Sequence, residues 1–400
     1  MKRIVSLILV SLLTLSAFFC LAGCGAVNEG KVVVLWKDEN KATNPNSLIN
    51  CMDRAMYIEN IECTYFGANG DAAKQLEQAQ SAIAEGCQVL VVELIDAGNA
   101  QAIVDAAKAK DIPVVFFNCN VDVSTLNYEN CYIINSNTDT IADVQGKLIA
   151  DYVKANYKDI DNNKDKQITA INKGETIGEN AIKKANELLA TDDYKVSDSL
   201  FGEKYSLSVV ATDDTVLTNA ELIVTNEDDV AFEVLKQLQS EDYNTDKLAE
   251  KFVPIVTVNA DKDYKAYVVS GRPEIPAEDR INEGDDQKTI DAKNEKIKNN
   301  KELQEYYEKN KYLVDLTAVR ESDLKEMVYT TLNVIDAGRL AGSAITDQDG
   351  ISAAVATIVK NLCQGNDFAK GLVAEPKEGE EPSIVVDGRI VKVRYIAYGI

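Results

Sequence analysis

Two doubly wound α/β lobes with parallel sheets are the fold class that this sequence of 400 residues predicts. Three observations predict it. Short runs rich in valine and isoleucine, apolar throughout as parallel strands are, alternate with amphipathic stretches of about 10 to 15 residues. The alternation breaks at a polar run, Tyr157 to Lys166, and then starts again. The length exceeds what one core ordinarily organises and suits two lobes of roughly 130 to 180 residues each.

The chain opens on Met1-Lys-Arg3, an apolar run from Ile4 to Phe19, and Leu21-Ala-Gly-Cys24. A basic start, a short apolar segment and small residues before the cut describe a secretory signal. The tetrad resembles a bacterial lipobox in which Cys24 is lipidated. Residues 1–24 are therefore expected to be a lipoprotein signal peptide, with the remainder outside the cytoplasm and anchored to the cell membrane by lipid.

Lys31 to Trp36 reads as a buried strand, Ser47 to Glu59 as a helix, Ile61 to Phe66 as a second strand, and Asp71 to Ala84 as a helix that Gly86 ends. Val89 to Val92 is a third strand, Asp96 to Lys110 a helix, and Ile112 to Phe117 a fourth strand. That run of large apolar residues stops on Asn118, whose amide both donates and accepts. In open α/β sheets ligands bind beyond the carboxyl ends of the strands, which puts Asn118 where a small polar ligand would be held. Cys131 to Ile134 is a fifth strand, followed by a helix to about Asn156.

The second alternation has strands at Ile168 to Ile171, Ser206 to Ala211, Glu221 to Thr225 and Pro254 to Val258. Its helices fall at Asn180 to Ala190 and Asp228 to Gln239. Only nine residues separate Ala211 from Glu221, whereas a parallel crossover needs about a dozen, so a helix is missing there. A polar insertion at 274–310 has the composition of an exposed helix from about Asp286; it reads either as a solvated excursion with no role or, in a sharper reading, as a segment that folds over the sheet face that the missing helix leaves bare. Ser322 to Ala337 and Ile351 to Leu362 read as amphipathic helices. Asp387-Gly388 turns a terminal hairpin, Ser383 to Arg394. The first lobe is expected to comprise 30–137 plus 320–386, and the second 138–319 plus 387–400.

Composition excludes several functions. The formal charge is −23, so nucleic acid is not a partner for the folded body. There is no histidine, which rules out Ser-His and Cys-His catalysis and imidazole metal sites. No carboxylate pair stands at an acid/base spacing, and the chain is not expected to be an enzyme. No Gly-x-Gly-x-x-Gly follows the first strand, which argues against a nucleotide site. Six cysteines follow the leader, at 51, 63, 87, 119, 131 and 363, and no two lie at metal-ligand spacing. Their spacing selects no disulfide pairing.

Several segments in order resemble the glucose/galactose-binding proteins, type I solute receptors of ABC sugar importers. They are Cys87 to Asp96, Ile112 to Asn118, Asn135-Ser-Asn-Thr-Asp139, Gln145 to Ala150, Lys173-Gly-Glu175 and Val386 to Val393. The resemblance implies a hinged, monomeric two-lobe receptor that closes on a galactose- or glucose-like monosaccharide in an interlobe cleft and delivers it to ABC permease subunits. By position it also implies ligand contacts. Asn118 matches an amide at a strand tip, and Trp36, Glu39 and Asn40 occupy the loop that supplies a carboxylate and an aromatic. Asn180 stands for a carboxylate, Lys184 for an arginine, Gly178 for a histidine, Asn226 or Glu227 for an amide, Asn259 for an aspartate, and Arg320 lies near the last contact.

A further motif, Asp161-x-Asn163-x-Asp165-x-Gln167-x-Thr169 with the distant Glu221, resembles an EF-hand-like loop that would hold a structural Ca2+. Lys166 stands where glycine usually makes the sharp turn. An alternative reading of the whole chain is a sensor subunit that binds a non-sugar or modified sugar and presents it to a membrane kinase or chemoreceptor.

Overall fold

The computed structural model describes residues 31–38, 47–197, 204–241, 243–244, 251–259, 263–269, 281–282, 285–310, 324–330, 335–336, 338, 340–373 and 382–399. They form two compact units, Met1–Ser136 with Asp347–Val393 and Asn137–Thr346 with Arg394–Ile400. The leader, Cys24 included, lies outside the described residues. No helix among those described is long and apolar enough to cross a membrane.

In the first unit β1 (Val32–Trp36), α1 (Leu48–Ile58), β2 (Cys63–Gly67), α2 (Ala72–Ala84), β3 (Val89–Glu93), α3 (Ala100–Lys108), β4 (Val114–Phe117) and β5 (Cys131–Asn137) alternate as the periodicity predicts. Parallel pairing joins β2, β1, β3, β4 and β5 in that order. Helices start and stop where the sequence supplies the chemistry. The Asp71 carboxylate accepts from the N–H groups of Ala73 and Lys74 at the head of α2, and Gly86, at φ +79°, lets the chain leave it. One face of the sheet packs on α2 and α3 through Leu35, Leu90, Ile103 and Phe116.

The second unit holds α4 (Ile141–Ile160), β6 (Gln167–Lys173), α5 (Glu175–Leu189), a two-residue pair β7 (Val196–Ser197) and β8 (Lys204–Tyr205), and β9 (Ser208–Thr212). Then come β10 (Leu222–Thr225), α6 (Asp228–Ser240), β11 (Ile255–Val258), β12 (Asp263–Val269), α7 (Gln287–Asn310), β13 (Leu324–Thr330) and β14 (Gly342–Ile345). The chain returns to the first unit with α8 (Gln348–Cys363), β15 (Ile384–Asp387) and β16 (Ile390–Arg394), and closes with β17 (Ile396–Tyr398) in the second. The hairpin β15–β16 extends the first sheet beside β5, and α8 packs with α1 on the face opposite α2 and α3. The second sheet runs β17-β14-β11-β10-β6-β9, with α4 and α5 on one face and α6 on the other.

Three expectations are corrected. Within 322–337, expected to be helical, Leu324–Thr330 is a strand paired antiparallel with Asp263–Val269. Its Leu324, Met327 and Val328 fall at helical spacing, but Val328-Tyr329-Thr330 suits a strand and a partner edge is there to pair with. The lobe boundaries also differ. Gly342–Ile345, placed with the first lobe as part of 320–386, pairs with β11 of the second sheet, and Ile390–Arg394, placed with the second, pairs in the first. The insertion does form a helix, but no side chain from 287 to 299 is buried, so that part of α7 covers no sheet face.

The nine-residue crossover carries only a 3-10 turn, Leu217–Asn219. Leu217 and Ala220 pack beside Ile171 and Ile223 under α6, taking part of the room a helix would fill. Val210 on the edge strand β9 stays 45% exposed.

Candidate functional site

The carboxyl ends of β1, β3 and β4 stand side by side in the first sheet; β1 passes into Lys37 and β4 into Asn118, while β3 has Glu93 as its last residue. β4 ends in Asn118, in the left-handed conformation at φ +46°, which asparagine tolerates better than most side chains. Its N–H donates to the carbonyl of Ile134 over 3.1 Å, anchoring the tip to β5. The side chain is free to turn back along the sheet edge, where Nδ2 donates to Oε1 of Glu93 over 2.7 Å. Lys37, the residue after β1, donates through Nζ to the Asn118 carbonyl over 2.8 Å and through its backbone N–H to Oε2 of Glu93 over 3.3 Å. The Glu93 side chain is only 13% exposed.

Gln75 of α2 holds this edge from beneath. Its amide donates to the Glu93 carbonyl and accepts from the N–H of Ile95. Next to Asn118, the Cys119 thiol is pushed up to about 11, chiefly by burial and against the pull of Lys37, so it stays protonated at neutral pH. An ammonium, a carboxylate and an amide thus meet at one exposed edge, able to donate to and accept from the hydroxyls of a small ligand.

The sequence reading found Asn118 but missed Lys37 and Glu93. The signal for Glu93 is the one that found Asn118: an apolar run, Val89 to Val92, ending abruptly on a hydrogen-bonding side chain. Trp36 is corrected. It shares a strand face with Val32 and Val34, so period-two alternation sends its ring into the core, 3% exposed, edge-on to Phe117 at 5.3 Å. It offers no stacking face to a ligand. Glu39, Asn40 and Arg320 lie outside the described residues.

In the second unit the carboxyl ends of β6, β10 and β11 are neighbours. Asn259 leaves β11 at φ +83°, its N–H donating to the carbonyl of Ala344 over 2.8 Å and its Oδ1 accepting from the Tyr395 hydroxyl over 3.3 Å. Asn226 and Glu227 leave β10, and the Glu227 carbonyl accepts from the hydroxyl of Thr257. At the carboxyl end of β6, the Asn172 side chain folds forward onto the following turn, accepting from the N–H of Gly174 over 2.7 Å and donating to the carbonyl of Glu175 over 3.0 Å. A Cβ on Gly178 would lie 2.1 Å from that amide oxygen, so any larger residue at 178 would push the Asn172 amide out of this turn. Asn180 is exposed on α5, while Lys184 turns to Asp143 of α4 at 3.3 Å.

The expected calcium loop is gathered at the amino end of β6. The carboxylate of Asp161 accepts from the N–H groups of Asp165 and Lys166 at 3.1 and 3.0 Å. Glu221, reaching in from the turn before β10, accepts from Asn162 at 2.7 Å and Thr169 at 2.9 Å. Oδ1 of Asn163 accepts from the Asp165 N–H and Oδ1 of Asp165 from the Gln167 N–H. Lys166 takes the left-handed conformation, φ +69°, that glycine would supply, and its ammonium lies 3.9 Å from the ring centroid of Tyr205. The donor set is all oxygen, and Asp161 and Glu221 are buried, which fits a hard cation. Among the described residues, however, no three acidic or cysteine side chains converge as a metal site would, and the carboxylates instead hold backbone N–H groups.

The periplasmic binding protein domain, as a family model, matches residues 33–275. A 95-residue stretch is 35% identical to the D-galactose/methyl-galactoside binding periplasmic protein MglB of Haemophilus influenzae, covering 24% of this chain and 28% of that protein. The chain thus matches less than a third of that relative's length. Among solved structures, a solute binding protein of an ABC transporter from Bacillus halodurans with bound myo-inositol has a TM-score of 0.42 at 13% identity, covering 94% of this chain and 96% of that one. The glucose-galactose binding protein GanP of Geobacillus stearothermophilus has 0.39 at 8% identity, covering 92% and 97%.

Proposed function

Because the chain belongs to the periplasmic binding protein family, whose model matches residues 33–275, we propose that it captures a monosaccharide of the galactose or glucose type outside the cytoplasm and hands it to an ABC permease. The observation that carries this reading is the cluster of Lys37, Glu93 and Asn118 at the carboxyl edge of the first sheet. Its amide, carboxylate and ammonium suit the paired donor and acceptor demands of sugar hydroxyls. Asn226, Glu227 and Asn259 on the second unit are the complementary candidates, Asn180 a peripheral one. Lys184 contributes only by leaving Asp143. The partial likeness to a galactose-binding relative supports the sugar class. In this reading Cys24 is the lipid anchor, the receptor acts as a monomer, and Ca2+ reinforces the loop of Asp161, Asn163, Asp165, Gln167 and Thr169 with Glu221.

The test is calorimetric titration of the mature protein with galactose, glucose, ribose and myo-inositol. Saturable binding of a hexose that is weakened by Asn118→Ala supports the reading. Absence of heat with every sugar, in protein that unfolds cooperatively, removes it.

A further inference from the structure

The amino edge of the first unit carries a second piece of chemistry, far along the strands from Asn118. Cys63 opens β2 and Cys363 closes α8. Both are partly buried, and both pack against the same apolar cluster, that of Val32, Met56, Val89 and Val359.

The contacts around them bring the two segments together. Lys360, one turn before Cys363 and on the same side of α8, forms an ion pair of 2.5 Å with Glu59 at the end of α1. Glu59 belongs to the short connection that leads into Cys63, and Ile61 in that connection donates its N–H to Met56 of α1. From the other side, Gln88 donates through Nε2 to the carbonyl of Cys363 over 3.2 Å. Gln88 directly precedes Val89, and the register places Val89 and Cys63 on either side of Val32. The last turn of α8 is therefore laid across the amino ends of β3, β1 and β2, and Cys363 is among the groups that, after burial, hold the Cys63 thiol up.

The other cysteines are placed elsewhere. Cys87, Cys119 and Cys131 belong to the opposite face of the sheet. Cys51 shares the face, but it sits with Arg54 and Asp349 at the head of α8, about 20 Å along the helix from Cys363 at 1.5 Å per residue.

We infer that Cys63 and Cys363 are a disulfide pair, closed when the protein meets an oxidising compartment. This rests on the extracytoplasmic reading for its setting, since disulfides persist where the surroundings are oxidising, but its geometry is independent of the ligand. The reaction is exchange with a small disulfide such as oxidised glutathione. One protein thiolate attacks a glutathione sulfur and expels the first glutathione thiolate. The second protein thiolate attacks the mixed disulfide and expels the other. The two cysteines lose two protons and two electrons, and one glutathione disulfide becomes two thiols. The link would tie the edge strand β2 to α8 and enclose in its loop the whole of Asn137–Thr346, so the second unit would unfold only as a loop closed on the first.

The experiment treats the mature full chain, reduced and then exchanged into oxidised glutathione at pH 8, followed by alkylation in denaturant and non-reducing peptide mapping. The expected result is one peptide pair linking Cys63 to Cys363, with a rise of Tm by several degrees over the reduced protein that Cys63→Ser and Cys363→Ser each abolish. Separate glutathione adducts on the two cysteines, or a link from either to Cys51 or another cysteine, overturns the inference. Should a serine variant fail to fold, the wild-type peptide map alone decides. Sugar titration of the same oxidised and reduced samples reads the proposed function separately.

Discussion

Asn118 Nδ2 lies 2.7 Å from Glu93 Oε1, an amide and a carboxylate from adjacent parallel strands locked together at the sheet's carboxyl edge. Truncating Asn118 to alanine leaves Glu93 without that hydrogen bond and removes a donor and an acceptor from the proposed site. The expected outcome is a loss of sugar affinity of about tenfold or more, the equivalent of ~1.4 kcal/mol. Tm should move little, because the residue is exposed and outside the core. Glu93→Gln should weaken binding as well, since it removes the charge facing Lys37. Calorimetry on both variants checks this, and unchanged affinity in both would place the ligand elsewhere.

Trp36 separates a core role from a stacking role. Packed on Phe117 and closed off from solvent, it should behave as a core aromatic, and Trp36→Ala should destabilise the fold by about 3–5 kcal/mol. Trp36→Phe, which keeps most of the packing, should retain near-normal affinity. A Trp36→Phe variant that folds normally but loses sugar binding would return the ring to the ligand.

The contrast between Asn118 and Trp36 shows what could be read from the sequence. Strands and helices of the first unit follow from period and punctuation because each element's pattern agrees with its packing, as with the Asp71 cap and Gly86 stop around α2. Asn118 is legible because a buried strand must end somewhere, and ending on an amide is conspicuous. Trp36 misleads because it stands at a strand end and its pattern fits core and loop equally; only the face it shares with Val34 decides. Residues 324–330 mislead for another reason. Their helical spacing is overridden by pairing with 263–269, a partner 55 positions away at Val269–Leu324 and 67 at Asp263–Thr330, which no local window contains. Lys37 escaped notice since its contribution is a carbonyl contact across the sheet.

The loop at Asp161 makes a prediction for calcium. Glu221 holds two N–H groups, those of Asn162 and Thr169, one on each oxygen. Glu221→Gln keeps a single acceptor and should destabilise the second unit by about 1–3 kcal/mol, the penalty for an unsatisfied buried group. If the loop holds Ca2+, millimolar calcium should raise the Tm of the parent and not of the variant. Equal response of the two, or none in the parent, would leave the carboxylate with its structural role alone.

Buried thiols set an alkaline limit on the reduced protein. Burial pushes Cys87 up to about 11 and Cys131 up to about 12, from an ordinary 9.0. Between pH 9 and those values the native state keeps protons that the unfolded chain has released, so the unfolded state binds fewer and stability falls as pH rises. Their contribution is complete below pH 9 and declines above it. Urea unfolding in reductant should give a constant midpoint from pH 7 to 8 and a falling one from pH 9 to 10. The slope should be shallower in Cys131→Ala, and an identical slope in that variant would assign the effect to other groups.

Gly146 is where the second unit should be least tolerant of a methyl group. The helices α4 and α5 approach so closely there that an added Cβ would lie 2.6 Å from Cβ of Lys184 and 2.7 Å from the carbonyl oxygen of Ala181. In isolation, alanine favours a helix over glycine by about 0.8–1.0 kcal/mol. Overpacking opposes that gain by about 1–3 kcal/mol, and here one of the two obstacles is backbone, which cannot rotate aside. The clash should therefore win, and Gly146→Ala should lower Tm. Adding Lys184→Gly would remove the side-chain obstacle while leaving the Ala181 carbonyl in place, so, after allowing for the helix penalty of the new glycine measured alone, the pair should recover only part of the loss. Full recovery would mean that α4 and α5 can slide apart, and that their spacing is set by the Lys184 stem and not by the backbones.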